Sequence, residues 1–518
     1  MPSDEEAVDV APRWPQSGPG AIAGGAGVQA QAARGPAAPT NELVVDLDGT
    51  LIRTDLLHEA ANRFVTRNAW QSLRLIVWLA SGRAALKARL AGGYDFDPAS
   101  LPYNEPLVDW LKEQRRQGRR LVLATASHVH AAERVAKHLG LFDEVHATEG
   151  ATNLKSVHKR NLLVERYGER GFDYVGDAAA DLAVWKSAGR AYLVGSSPRL
   201  IAKARALGNL ARVFDDGRPP LLGALFRALR PHQWLKNLLV LVPLFAAHRY
   251  GDPQSLIRGL LALVAFSLTA SSVYVFNDLA DVADDRHHPH KRHRPFAAGD
   301  LSLWHGWLAW PALLLPAFGI AALFLPAAFV AALAAYWILT LAYSLQLKQR
   351  AVVDVLTLAG LYTLRIVAGA AAIDVPVSFW LLTFSMFIFL SLALMKRFSE
   401  LRAVRSAGTK QRIRGRGYVH EDLELVASLG TGAGYIAVLV LALYIQDGRT
   451  TELYRMPGFI WLACPLLLFW ISRAWLVAHR GRMHDDPVVF ALQDRVSWLV
   501  GACIVAAFGL ARVAGGAG

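Results

Sequence analysis

A chain of 518 residues is too long for one ordinary domain, and its charges concentrate before about residue 220 while apolar runs fill the rest, which excludes a single soluble globule. The formal net charge of +13 sits beside long apolar segments, so it suits anionic headgroups or phosphorylated substrates rather than nucleic acid. Cys464 and Cys503 both lie inside apolar segments, which excludes a disulfide framework.

Residues 1–41 are rich in Ala, Gly and Pro and read as a disordered tail without a secretion signal, leaving the next domain in the cytoplasm. Residues 42–215 alternate short β-type runs (Leu43–Val45, Leu121–Ala124, Tyr174–Val175, Ala191–Val194) with helical stretches, the pattern of a parallel-sheet α/β domain. A helical insert, about 55–101, separates the first two runs and carries Arg63, Arg67, Arg74, Arg83, Lys87 and Arg89 with Trp70 and Trp78. Those side chains suit either ordinary packing or a membrane interface.

A turn-rich linker, 216–222, leads into a membrane part, 223–514. Nine apolar segments are predicted there, near 235–247, 257–277, 302–319, 326–346, 351–373, 378–396, 424–446, 457–477 and 494–513. The loops 278–301, 347–350, 396–420 and 478–495 hold most of the Lys and Arg, so they are expected on the cytoplasmic side with the α/β domain.

Motifs stand at the ends of these elements. The first strand runs into Asp46-Leu47-Asp48-Gly49-Thr50, two carboxylates at the strand edge where α/β sheets bind ligands. Thr125 ends the next strand, Lys155 and Lys159 open a helix, and Tyr174-Val175 leads into Gly176-Asp177 with Asp181 four residues on. In order, these supply a nucleophile, an acid and base, a hydroxyl, a cation and further carboxylates, the parts of phosphate-monoester hydrolysis.

This set resembles the haloacid dehalogenase (HAD) superfamily, with its Rossmann-like sheet and a helical cap at the insert. The resemblance implies that Asp46 forms an aspartyl-phosphate, Asp48 acts as acid and base, and Thr125 holds the phosphoryl group. Mg2+ is expected at Asp46, Asp48 and Asp177, with Asp181 completing the metal shell or orienting the lysine. Lys159 is preferred as that lysine, Lys155 being the alternative.

In the membrane part, Asn277, Asp278, Asp281 and Asp285 close the second segment, and helical spacing sets Asn277, Asp281 and Asp285 on one face with Asp278 beside them. Oxygen ligands so placed suit Mg2+ and a diphosphate. Cationic donors come next at Lys291, Arg292 and Arg294. The pattern resembles the UbiA superfamily of intramembrane prenyltransferases, an all-α fold. A second Asp-x-x-x-Asp is missing, because Asp354 is followed four residues later by Leu358.

Further stretches, 230–237, 343–348, Leu364-Arg365 and 396–402, are similar to the decaprenyl-phosphate phosphoribosyltransferase branch of that superfamily. This implies displacement of Mg2+-bound pyrophosphate from phosphoribosyl pyrophosphate by a polyprenyl phosphate. Metal is expected at Asp278, Asp281 and Asp285, and metal or ribose at Asn277. Substrate is expected at Lys236, Asn237, Lys291, Arg292, Arg294, Tyr343, Lys348, Asp354, Lys396 and Arg397. Arg365, deep in an apolar segment, is expected to face the lipid phosphate or to pair with Asp354. A phosphatase beside such a transferase would remove the 5-phosphate from its product. An aromatic prenyltransferase and a non-enzymatic lipid-binding or transport protein are the alternative readings, and oligomers are compatible with either half.

Overall fold

The computed structural model describes residues 41–67, 78, 90, 96–149, 154–195, 197–406, 417–447, 454–483 and 486–513. The tail before Asn41, the insert residues Trp70, Arg74, Arg83, Lys87 and Arg89, and the basic stretch 407–416 lie outside them.

Six parallel strands form one sheet in the order β3-β2-β1-β4-β5-β6. They are β1 (Glu42–Val45), β2 (Leu121–His128), β3 (Glu144–Thr148), β4 (Phe172–Gly176), β5 (Ala191–Val194) and β6 (Leu210–Phe214). The four expected runs lie in β1, β2, β4 and β5. The other two strands escape the sequence reading for a physical reason: β6 closes an edge with exposed Ala211 and Arg212, and β3 at the other edge is only half-buried, so neither shows a continuous apolar run. Leu43, Val44 and Val45 are fully buried at the centre of the sheet, which brings the end of β1 between the ends of β2 and β4.

Helix α1 (Leu56–Arg67) begins the insert, and α2 (Val157–Tyr167) carries Lys159. After the linker, α3 (Leu221–Leu229) ends at Arg230, whose backbone is left-handed at φ 52°. Beyond it come the eight helices among the described residues that are long and apolar enough to cross a membrane. They are α4 (Pro253–Ala280), α6 (Leu303–Phe324), α7 (Ala327–Leu345), α8 (Val353–Ala372), α9 (Phe379–Ser406), α10 (Leu423–Ile445), α11 (Ala463–His479) and α12 (Arg495–Val513), with the short α5 (Val282–His287) after α4.

The segment expected near 235–247 is not a ninth long α-helix. It is a 3-10 helix, Pro231–Leu241, followed by one short α-turn, Val242–Ala246. At about 2.0 Å per 3-10 residue and about 1.5 Å per α residue, it still covers about 30 Å of path. A glycine explains its position: a Cβ at Gly369 of α8 would lie 1.9 Å from the Val240 carbonyl oxygen, so the two backbones touch. Helix α9 also departs from expectation, running to Ser406 instead of ending near residue 396 and so drawing Lys396 and Arg397 into a helix.

The two halves are packed together. Asn62 of α1 donates to the Leu279 carbonyl at the end of α4 (2.7 Å) and accepts from Trp307 Nε1 of α6 (3.0 Å), while Glu59 pairs with Arg286 of α5 at 2.6 Å.

Candidate active sites

The first site is built where β1, β2 and β4 end together. Gly49 turns the chain with φ +79°, and a Cβ there would fall 2.2 Å from Asp177 Oδ2, so glycine alone lets the two loops approach. Asp46, Asp177 and Asp181 each place a carboxylate oxygen within 4.8 Å of the others, the one such group among the described residues. Lys159 Nζ donates to Asp46 Oδ1 at 2.8 Å and to the Tyr174 hydroxyl at 2.9 Å, and that hydroxyl donates to Asp181 Oδ1 at 3.0 Å. Lys155 is exposed. Lys155 precedes the start of α2 at Val157, whereas Lys159 lies in its first turn and is buried.

Asp48 does not join that carboxylate group as the expected metal set had it. Its Oδ1 accepts from the Leu56 amide (2.9 Å), and its Oδ2 accepts from Ser127 Oγ (2.6 Å) and Thr125 Oγ1 (3.2 Å). Asp46 and Asp48 both lie beyond the end of β1 at Val45, in the turn, where the two-residue period of a strand no longer sets side-chain direction. Ser127 and Tyr174 are additions to the expected set. Ser127 was legible as the same-face neighbour of Thr125 on β2, whereas Tyr174 reads in sequence as an ordinary strand aromatic.

Burial drives the electrostatics here. Asp177 is pushed up to about 8 by burial and then by the charge of Asp46. Asp181 rises to about 6 for the same reasons, against the pull of Lys159. Asp48 reaches about 7 through burial and the nearby Asp55. Burial works against the charge of Lys159, but Asp46 and Asp181 outweigh it and hold the ammonium above its ordinary value. Three carboxylates facing one ammonium leave a negative surplus in a dry place, and a hard divalent cation fits that donor set.

The second site lies at the end of α4. Asp278 is 2% exposed and receives Arg230, and Arg294 bridges it (3.3 Å) to Asp285 (2.7 Å). Asp281 turns instead to Lys348, with contacts of 3.0 and 3.2 Å. The three expected metal carboxylates are thus not gathered together. The helix stops at Asp281 and restarts at Val282, so Asp278 and Asp285 share Arg294 while Asp281 meets Lys348. Burial raises Asp285 to about 6 in spite of Arg294. Among the described residues, Asp278 Oδ2 and Asn277 Oδ1 are buried acceptors without a hydrogen-bond donor. Adjacent acceptors left open in this way fit a cation.

The expected substrate residues divide. Lys291 and Arg292 are exposed on the loop, and Arg292 Nε donates to His293 (3.3 Å). Lys236 pairs with Asp486, which Lys396 also approaches at 3.9 Å. Asp486 was missed because, before Pro487, it reads as a helix cap, and it does accept from the Val488 amide at 3.0 Å.

Arg365 does not pair with Asp354. It donates to Asn237 Oδ1 (3.1 Å), the Leu361 carbonyl (2.7 Å) and Tyr336 OH (3.1 Å). Asp354 is taken by Arg397 Nε at 2.7 Å, both side chains being fully buried, and by the Tyr418 hydroxyl at 2.7 Å. Arg397 also holds Glu400 and Tyr343. Asp354, Arg397 and Tyr343 therefore belong to one buried network. Opening one partner of such a pair costs about 3–5 kcal/mol.

A parallel-sheet domain with a carboxylate, hydroxyl and lysine site, joined to a helical bundle with an acidic mouth, defines a fusion of two enzyme classes. The chain belongs to the UbiA prenyltransferase family, whose pattern matches residues 238–499, and carries an N-terminal haloacid dehalogenase-like hydrolase domain, matched over residues 43–186. It is an integral membrane protein. The protein y4nM of Sinorhizobium fredii is 39% identical over 471 residues, 90% of either chain. Nodulation protein NoeC of Azorhizobium caulinodans is 40% identical over 55% of this chain and 90% of its own. A decaprenyl-phosphate phosphoribosyltransferase of Mycolicibacterium smegmatis is 34% identical over 54% of this chain and 89% of its own.

Proposed function

We propose that the membrane domain transfers 5-phosphoribose from phosphoribosyl pyrophosphate to a polyprenyl phosphate, and that the HAD domain then removes the 5-phosphate to leave polyprenyl-phosphoryl ribose. The observation that carries this reading is the seating of α1, the helix following the HAD motif, directly on the end of α4 beside Asp278. The name borne by the mycobacterial relative supports the choice of donor and acceptor.

In the first step a phosphate oxygen of the lipid attacks C1 of the ribose, and the C1–O bond to diphosphate breaks. The attacking oxygen is already anionic, so no strong base is needed; the obstacle is leaving-group charge. Arg230 and Arg294, paired with Asp278, and Lys348, paired with Asp281, would neutralise that charge, and Lys236 with Lys396 would hold the acceptor phosphate. In the second step Asp46 attacks phosphorus while Asp48 gives a proton to the leaving ribose oxygen, and Asp48 then takes one from the water that frees Asp46. Mg2+ at Asp46, Asp177 and Asp181, and again at Asn277, Asp278 and Asp285, would supply neutralisation of phosphoryl and diphosphate oxygens.

The Lys and Arg surplus of the α4–α6 and α9–α10 loops supports an inner-membrane protein with its HAD domain on the cytoplasmic side. Residues 42–215 and 223–514 would then be the two catalytic domains, joined by 216–222. Mass spectrometry of lipids made by the Asp46→Asn protein from phosphoribosyl pyrophosphate and polyprenyl phosphate tests the reading. The 5-phosphorylated lipid should accumulate. An unchanged lipid profile, or product only from prenyl diphosphate and hydroxybenzoate, would overturn it.

A further inference from the structure

Helix α1 belongs to both halves. Leu56, Leu57 and Ala60 line a cavity of 150 Å3 together with Phe96, Ser127 and His128. Ser127 and the Leu56 amide are the groups that hold the two oxygens of Asp48, so two residues lining this cavity also hold the carboxylate assigned to proton transfer. The face carrying Glu59 and Asn62, 3% and 2% exposed, is buried against the membrane domain.

That buried face is fully satisfied. Asn62 donates to Leu279 O and accepts from Trp307 Nε1, while Glu59 Oε1 accepts from Arg286 Nη2 and from Thr54 Oγ1, both at 2.6 Å. Leu279 is next to Asp278 and Arg286 is next to Asp285, so α1 is held by the residues adjoining the acidic site. A second contact sits just before α1: Gly299, at φ +74°, would place a Cβ 2.9 Å from the Arg53 carbonyl oxygen. A buried ion pair adds little stability over apolar packing, but it admits one register and penalises every other.

We propose that α1 is a positioning element through which the transferase domain sets the shape of the phosphatase cavity, adapting it to a phosphomonoester delivered at the membrane face rather than one free in solution. The identity of that ester as 5-phosphoribosyl lipid rests on the function proposed above; the docking does not. Glu59, Asn62 and Arg286 are positioning residues, since none touches Asp46, Asp177 or Asp181.

Full-length protein in nanodiscs is compared as wild type, Glu59→Gln, Asn62→Ala and the charge exchange Glu59→Arg with Arg286→Glu. The substrates are p-nitrophenyl phosphate, a small soluble ester, and the 5-phosphorylated lipid. The single variants should hydrolyse the soluble ester as wild type does and lose at least about tenfold in kcat/KM on the lipid; amide-exchange protection of residues 56–67 should fall while that of β1 holds. Equal losses on both substrates would mean general damage and would overturn the proposal, as would no loss on either. If wild type leaves the lipid untouched, the substrate assignment fails. Exchange then decides the docking alone, and unchanged protection of α1 in both single variants would sink it.

Discussion

Gly49 shows how much of the phosphatase site depends on the absence of a side chain. A methyl group there meets the Asp177 carboxylate at 2.2 Å, in a backbone conformation that costs an L-residue about 1–2 kcal/mol. Gly49→Ala should therefore displace Asp177 and cut phosphate-ester hydrolysis by about 100-fold, leaving lipid phosphoribosylation unchanged; both rates are measured on one preparation. Near-normal hydrolysis would show that the loops do not need this approach. At Lys159 the sequence offered two lysines four positions apart, and they separate because α2 begins only after Lys155 and turns Lys159 onto Asp46. Arg365 and Asp354 were less legible. Both are buried charges in one helix, and their partners, Asn237 and Arg397, come from elements that no local pattern connects to them.

Among the elements, the 3-10 segment before α4 matters most, because it carries Lys236 and Asn237, both buried. Runs of that helix beyond three or four residues are uncommon, and this one has 11. Its contact with Gly369 holds it in place. In Gly369→Ala, the Cβ at 1.9 Å from Val240 O must push the segment outward and carry Lys236 away from Lys396 and Asp486. Transferase activity should fall by at least about tenfold while hydrolysis of p-nitrophenyl phosphate is retained. An apolar count detects such a segment but cannot tell a 3-10 helix from an α-helix, since the composition of both is the same. The length of α9 was hidden for a related reason: Lys396 and Arg397 look like a membrane exit, yet Asp486 approaches the first and buried Asp354 pairs with the second within the helix.

At the scale of the whole molecule, the carboxylates of the phosphatase site tie stability to pH and metal. Asp48, Asp177 and Asp181 stand at about 7, 8 and 6 in the folded chain, against about 3.9 when unfolded. The native state therefore binds more protons between about pH 4 and pH 8, so its stability falls as pH rises through that window. Thermal midpoints of the soluble half, followed in the full-length protein with EDTA, should drop from pH 5 to pH 8. Mg2+ should flatten the decline by taking the place of the protons. A midpoint that climbs over the same range, or ignores Mg2+, would contradict this account of the site.

Chain length, the division into a charged and an apolar half, the motif order around Asp46, Thr125 and Asp177, and the approximate places of the long apolar helices α4 and α6 to α12 were readable from neighbouring residues. Periodicity and hydrocarbon depth act locally, so local pattern suffices for them. Which cation answers which carboxylate did not emerge from that pattern. Lys236 and Asp486 lie 250 positions apart, and Asn62 finds its Leu279 partner across 217. Coulomb and hydrogen-bond energies depend on separation in space, and the rotation of each packed helix sets that separation.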